Sequence, residues 1–92
     1  MKPYRVVLTR SATKELAALP AKAHDNIVKH LRQLESNPRT PGAEKLTAID
    51  AYKLRVGSYR VIYEIDDSAR EIRVVMVDNR KQVYQRLRRK RN

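Results

Sequence analysis

An α+β fold is predicted for this chain, with an antiparallel sheet packed against a helical hairpin. Three observations predict it: a short β-branched run near the start, two helical apolar stripes separated by a proline, and a period of two from residue 52 onward. The strands that carry this last pattern follow one another directly, which favours antiparallel pairing. The expected order is βααβββ with a short C-terminal helix, in one domain spanning residues 1–92.

The first strand is YRVVL, residues 4–8, short and β-branched. Thr9 or Ser11 then supplies an N-cap for a helix whose inward stripe is Ala12, Leu16 and Leu19. Pro20 ends that helix and suits the first turn of the next, where Ala23, Ile27, Leu31 and Leu34 recur at helical spacing as far as about Ser36. Helices joined this closely are expected to form an antiparallel αα-hairpin. Residues 36–50 read SNPRTPGAEKLTAID; Pro38, Pro41 and Gly42 exclude a continuing helix and predict a loop anchored by Leu46.

The text then changes period. Tyr52, Leu54 and Val56 alternate with Lys53 and Arg55, and Tyr59, Val61, Tyr63 and Ile65 alternate with Arg60, Ile62 and Glu64. Residues 66–70 form a turn into a third, mostly buried strand, IRVVMV at residues 72–77. In the tail, residues 80–91, Val83 and Leu87 form a docking stripe on a last helix, with Arg80, Tyr84 and Arg88 beside it at spacings of four.

A chain of 92 residues supports one modest core. It has no cysteine, which excludes a disulfide framework and thiolate metal sites and suits a reducing interior. Neither a signal peptide nor an apolar run long enough for a bilayer is visible, so a soluble cytosolic protein is expected. The formal charge is +11 and the pI near 10.5, which favours polyanionic partners. The excess leans to the carboxyl side: residues 1–50 carry 9 basic and 5 acidic side chains, residues 51–92 carry 12 and 5.

Gly57-Ser58 suits a two-residue type II′ turn, and that fixes the register of the hairpin around it. Val56 then pairs with Tyr59, Arg55 with Arg60, Leu54 with Val61 and Lys53 with Ile62. One face carries Tyr52, Leu54, Val56, Tyr59, Val61 and Tyr63 for the core. The other gathers Lys53, Arg55 and Arg60, and like charges opposite one another destabilise a sheet unless an anion lies among them. Screening by water is the plain alternative. Glu64 reads as an ion-pair partner for Arg60 or Arg73, and His24 and His30, on different sides of the second helix, as structural. No metal-ligand cluster or phosphate-binding glycine loop is present, so neither metal nor cofactor is expected.

The run YKLRVGSYRVIYEI, followed by VVMVDNRKQVY, resembles the RelE/ParE superfamily, the toxin halves of bacterial toxin–antitoxin pairs. The likeness covers nearly the whole chain, including the Pro-rich loop before a short "KL". RelE-like members are messenger-RNA interferases that act on the ribosome, ParE-like members poison DNA gyrase, and ParE-like chains generally lack the tyrosine found here at position 84. The resemblance therefore implies a cytoplasmic bacterial endoribonuclease with a protein antitoxin, the ribosome and messenger RNA as partners. It implies Lys53, Arg55, Arg60, Arg80 and Tyr84 as the catalytic set. Two positions depart from the pattern: Arg55 stands where relatives often have a second lysine, and Asn79 where many have histidine. Lys81 is an alternative to Arg80, since the segment before Tyr84 varies in length.

Metal-free RNA cleavage needs a base for the 2′-hydroxyl proton, cations for the phosphate and an acid for the leaving 5′-oxygen. The four basic side chains provide the cations. Tyr84 is the expected base; a free phenol titrates near pH 10, and surrounding cations favour its phenolate. Lys53 or Arg80 would shield or protonate the leaving oxygen, and the implied products are a 2′,3′-cyclic phosphate and a 5′-hydroxyl. The terminal Arg86, Arg88, Arg89, Lys90 and Arg91, with Lys81, form an electrostatic arm for RNA. Two other readings stay open: a gyrase inhibitor without RNase activity and a non-catalytic nucleic-acid-binding module.

Overall fold

A computed structural model describes residues 3–79; the expected C-terminal helix lies outside the described residues. The element order is β1 (Arg5–Leu8), α1 (Arg10–Ala17), α2 (Ala21–Leu34), β2 (Ala43–Lys45), β3 (Tyr52–Val56), β4 (Tyr59–Asp66) and β5 (Glu71–Asn79). Thr9 caps α1 by accepting a hydrogen bond from Ala12 N at 3.2 Å, which satisfies one of the amides a helix start leaves unpaired. Pro20 is the N-cap of α2 rather than its first helical residue. The fixed φ of proline still orders the entry, but its side chain offers no acceptor.

The strands form one sheet in the order β1-β5-β4-β3-β2. The α+β class holds, with two differences from the expected sheet. First, β1 runs parallel to β5, from Arg5 opposite Glu71 to Leu8 opposite Val74, so the sheet is mixed rather than wholly antiparallel. The two helices carry the chain away after β1, and the strand it pairs with lies at the far end of the sequence, beyond the reach of local pattern. Second, Ala43–Lys45, expected as loop, is a short edge strand antiparallel to β3. Its Ala-Glu-Lys sequence has little strand propensity, and backbone pairing with β3 makes it a strand.

α1 and α2 cover one face of the sheet. Ala12, Leu16, Ile27, Leu31 and Leu34 meet Leu54, Val56, Val61, Tyr63, Ile72, Val74 and Val77, all buried. The opposite face has a smaller core of its own. Residues 46–51 fold over it, so that Leu46 and Ile49 pack with Ala51 on buried Ile62 and Met76. Leu46 thus serves as the expected anchor, and its N–H donates to Ala51 O at 2.9 Å.

β5 contains a bulge. Ile62 opposes Met76 while the next residue, Tyr63, opposes Val74, which leaves Val75 as the extra residue. Ile72 and Val74 face the helices, Met76 faces the small core, and Val77 faces the helices again. β1 has ended beside Val74, and the amide of Val77 donates instead to Glu15 Oε1 of α1 at 2.9 Å.

At the end of the sheet near the β4–β5 turn, one carboxylate ties three segments together. Asp67 accepts two hydrogen bonds from Arg39 of the Pro-rich loop, at 3.1 and 2.8 Å, and one from the Tyr4 hydroxyl at 2.6 Å. Arg39 also donates to the Tyr52 hydroxyl at 3.0 Å, and Tyr52 stacks on Tyr63 with 5.8 Å between ring centres. Tyr63 is fully buried and donates to Pro38 O at 2.7 Å; burial pushes its phenol up to about 12. The bonds from Arg39 and Tyr4 hold the Asp67 carboxyl down at about 2.

Because the folded state lowers this carboxyl below the value of about 3.9 typical of an unfolded chain, its contribution to stability is complete above that value. It is lost as pH falls toward about 2. The stability difference between wild type and Asp67→Asn, measured by urea unfolding, is expected to be constant from pH 7 to 5 and to shrink toward zero between pH 4 and pH 2, on the order of one proton linked to unfolding. A difference independent of pH would show that the ionised carboxylate does not hold the loop.

Candidate nucleic-acid interface

The β3–β4 hairpin has the expected register, with Val56 opposite Tyr59, Arg55 opposite Arg60, Leu54 opposite Val61 and Lys53 opposite Ile62. Gly57 sits at φ 60, the left-handed conformation that the first position of a type II′ turn requires. Lys53, Arg55 and Arg60 therefore leave the sheet on the side away from the helices. Arg55 is exposed and Arg60 half-buried.

The structure adds two carboxylates that local pattern does not place there. Glu44, on β2, lies directly opposite Lys53, and its Oε2 is 3.4 Å from Lys53 Nζ. The Lys53 side chain is only 14% exposed, set between this carboxylate and the small core around Ile62. Asp78, on β5, lies directly opposite Arg60. Strict alternation from Ile72 and Val74 would turn it toward the helices, but the bulge at Val75 turns it outward. Arg55, Arg60 and Asp78 thus form one row across three strands, and Glu44, Lys53 and Ile62 the next.

Arg60 carries the clearest chemical signal. Its Nε is buried and has no hydrogen-bond partner among the described residues. A desolvated charged donor without a partner is unfavourable, and an anionic ligand that accepts from it removes that penalty. A phosphate over the Arg55–Arg60 pair would also separate two cations whose Cβ atoms stand roughly 5 Å apart.

Other expected residues find structural places. Glu64 pairs with Arg73, opposite it on β5, at 2.8 Å rather than with Arg60. That bond raises the Arg73 pKa further. His24 and His30 lie on α2, where His24 Nδ1 is 3.0 Å from Asp25 Oδ1 and His30 Nδ1 is 2.8 Å from Asn26 O. Tyr59 packs partly against the main core. Arg80, Lys81, Tyr84, Arg86, Arg88, Arg89, Lys90 and Arg91 lie outside the described residues. Among the described residues there is no cluster of three metal-ligating side chains, and no helix is long and apolar enough to cross a membrane.

The fold has counterparts among known proteins. The family described as "ParE toxin of type II toxin-antitoxin system, parDE" matches residues 6–84. Toxin RelE of Mycobacterium tuberculosis (strain ATCC 25618 / H37Rv) is 30% identical over 84 residues, covering 89% of this chain and 87% of that protein. Toxin RelG of the same strain is 29% identical over 86 residues, covering 91% and 99%. Among solved structures, the toxin–antitoxin complex RelBE2 of M. tuberculosis matches with a TM-score of 0.77 at 28% identity, over 85% of this chain and 99% of that one. A mutant of E. coli toxin RelE in the free state matches with 0.77 at 26% identity, over 90% and 92%. What these proteins share is a class, the toxins of type II toxin–antitoxin systems. The chain belongs to the RelE/ParE toxin superfamily within that class and is RelE-like.

If Arg55 and Arg60 repel across the hairpin, Arg55→Thr stabilises the folded protein by about 0.2–1 kcal/mol at low ionic strength. The gain falls as salt rises, because added ions screen the wild-type repulsion. Paired urea titrations at low and high sodium chloride measure this; equal midpoints for both proteins at low salt would mean that the repulsion is already neutralised.

Proposed function

We propose that this toxin is an endoribonuclease that cuts messenger RNA on the ribosome and so arrests translation. The observation that carries the reading is the buried Nε of Arg60 beside Arg55, without a hydrogen-bond partner among the described residues, a donor arrangement suited to a phosphodiester. Supporting it are the RelE-like relatives and the excess of basic residues in the carboxyl half.

In this reading Arg55 and Arg60 take the non-bridging oxygens of the scissile phosphate, bidentately where geometry allows, and stabilise the charge that grows as the 2′-oxygen attacks. Lys53 offers a compact ammonium to the same phosphate or to the leaving 5′-oxygen once Glu44 yields it. Tyr84 takes the 2′-hydroxyl proton and Arg80 shields the leaving oxygen; the products are a 2′,3′-cyclic phosphate and a 5′-hydroxyl. The basic terminal residues supply sequence-independent attraction to RNA. A cognate antitoxin is the protein partner, by analogy with the relatives solved as complexes with RelB. Its simplest means of neutralisation is to occupy or distort the cationic face.

The family match is to ParE toxins, which favours one rival: inhibition of DNA gyrase without RNA chemistry. A translation extract supplemented with the purified toxin separates the two. Messenger cleaved within codons is expected, with Arg60→Ala slowing cleavage by about 10²–10³ and Tyr84→Phe by about 10²–10⁴. Intact messenger together with blocked supercoiling by gyrase would establish the rival.

Glu44→Gln is expected to tighten binding of an uncleavable RNA by up to about fivefold, since it removes a carboxylate that competes with phosphate for Lys53 in an ion pair of modest strength. Fluorescence anisotropy at fixed salt reads this directly, and a weaker complex would mean that Glu44 positions Lys53 rather than competing for it.

A further inference from the structure

We propose that Asp78 is the sugar-reading residue of this site, accepting a hydrogen bond from the 2′-hydroxyl of the ribose on the 3′ side of the phosphate that Arg55 and Arg60 hold, a different hydroxyl from the one assigned to Tyr84. The proposal rests on the nucleic-acid reading above and deepens it, by naming the group that tells RNA from DNA.

Position is the first argument. Arg55 opposes Arg60 and Arg60 opposes Asp78, so the three side chains leave the same face in line across β3, β4 and β5. Neighbouring strands lie roughly 4.8 Å apart, which puts the carboxylate one strand beyond the guanidinium pair, on the side away from Arg55. A ligand phosphate over the pair brings its own sugar within reach of that carboxylate.

The backbone is irregular in just the way that delivers it. The extra residue at Val75 reverses the facing of everything after it, so that Val77 joins the main core and Asp78 points to the basic face. Bulges commonly re-aim a side chain next to a functional site. Here the disrupted edge is secured from the helical layer, where Glu15 Oε1 takes the Val77 amide.

Chemistry then selects the ligand group. A carboxylate accepts hydrogen bonds only, and so does a phosphodiester; the two repel. The donor on a nucleic-acid backbone is the ribose 2′-hydroxyl, which DNA lacks. An aspartate beside two phosphate-binding arginines therefore penalises a deoxyribose strand and rewards a ribose strand. Asp78 Oδ1 accepts from Asn79 N at 2.7 Å, which orients the carboxylate, and a carboxylate has about four lone-pair sites in all. Arg60 Nε has no hydrogen-bond partner among the described residues although Asp78 lies directly opposite Arg60, which leaves that donor for a ligand oxygen.

The test uses the purified full chain and three oligonucleotides of one sequence: RNA, DNA and 2′-O-methyl RNA, which lacks the donor. Anisotropy titrations at one salt concentration are expected to show wild type preferring RNA to either analogue by about tenfold or more, the range of a hydrogen bond to a charged group. Asp78→Ala brings the three affinities within about threefold, by weakening RNA and strengthening DNA. Asp78→Asn, whose amide oxygen still accepts, recovers part of the preference, which a mere folding defect would not do. If Asp78→Ala instead tightens RNA and DNA by the same factor, the residue is a counter-ion and the proposal is overturned. Messenger cleavage by wild type with no preference among the three ligands would overturn the proposal while leaving the ribonuclease reading intact; binding to none of them would overturn the proposal, and would end the ribonuclease reading only if messenger also stayed intact in the translation extract.

Discussion

One extra residue in one strand governs how this molecule divides its labour. With Val75 bulged, β5 gives Ile72, Val74 and Val77 to the helical side and Met76 and Asp78 to the other. A regular strand would send Asp78 into the main core, where an unpaired carboxylate is prohibitively unfavourable, and would take Val77 out of it. The bulge is thus a requirement of core packing and the device that places charge on the open face. Glu15 makes it tolerable by accepting the amide that the shortened β1 leaves unpaired.

The open face relieves only part of the conflict that its sequence poses. Three cations crowd onto the hairpin, and the sheet answers with carboxylates on the strands either side: Glu44 on β2 beside Lys53 and Asp78 on β5 beside Arg60. The compensation is incomplete, since Arg55 and Arg60 still face each other and one guanidinium nitrogen has no acceptor among the described residues. Among the described residues, that deficit lies at the Arg55–Arg60 pair. Elsewhere on the same face, Glu64 and Arg73 pair without any deficit.

Support for this arrangement comes from the distant end of the sheet. Arg39, Asp67, Tyr4 and Tyr52 bind the Pro-rich loop to the β4–β5 turn and to the segment entering β1. With the loop held there, the chain re-enters the sheet as β2 and brings Glu44 to Lys53, and residues 46–51 then close over Ile62 and Met76. The helical layer stays on the other side throughout, so the main core is packed away from the cationic face.

Much of this was determined by local sequence. The Thr9 cap, the Pro20 break, the stripe Ile27-Leu31-Leu34 and the Gly57-Ser58 turn are short-range constraints, and the turn alone set Arg55 against Arg60. The tertiary structure decided what lies between distant segments. The parallel pairing of β1 with β5 joins residues some 66 positions apart, β2 is a strand only because β3 is beside it, and the bulge at Val75 has no signature in the alternation of Ile72 to Val77. So the hairpin cations of the candidate site, Lys53, Arg55 and Arg60, were legible, each fixed by its neighbours in one hairpin. The carboxylates were not, because Glu44 and Asp78 reach the site through backbone pairing with other strands, and a two-residue period carries no information about a pairing partner or about a residue that breaks the count.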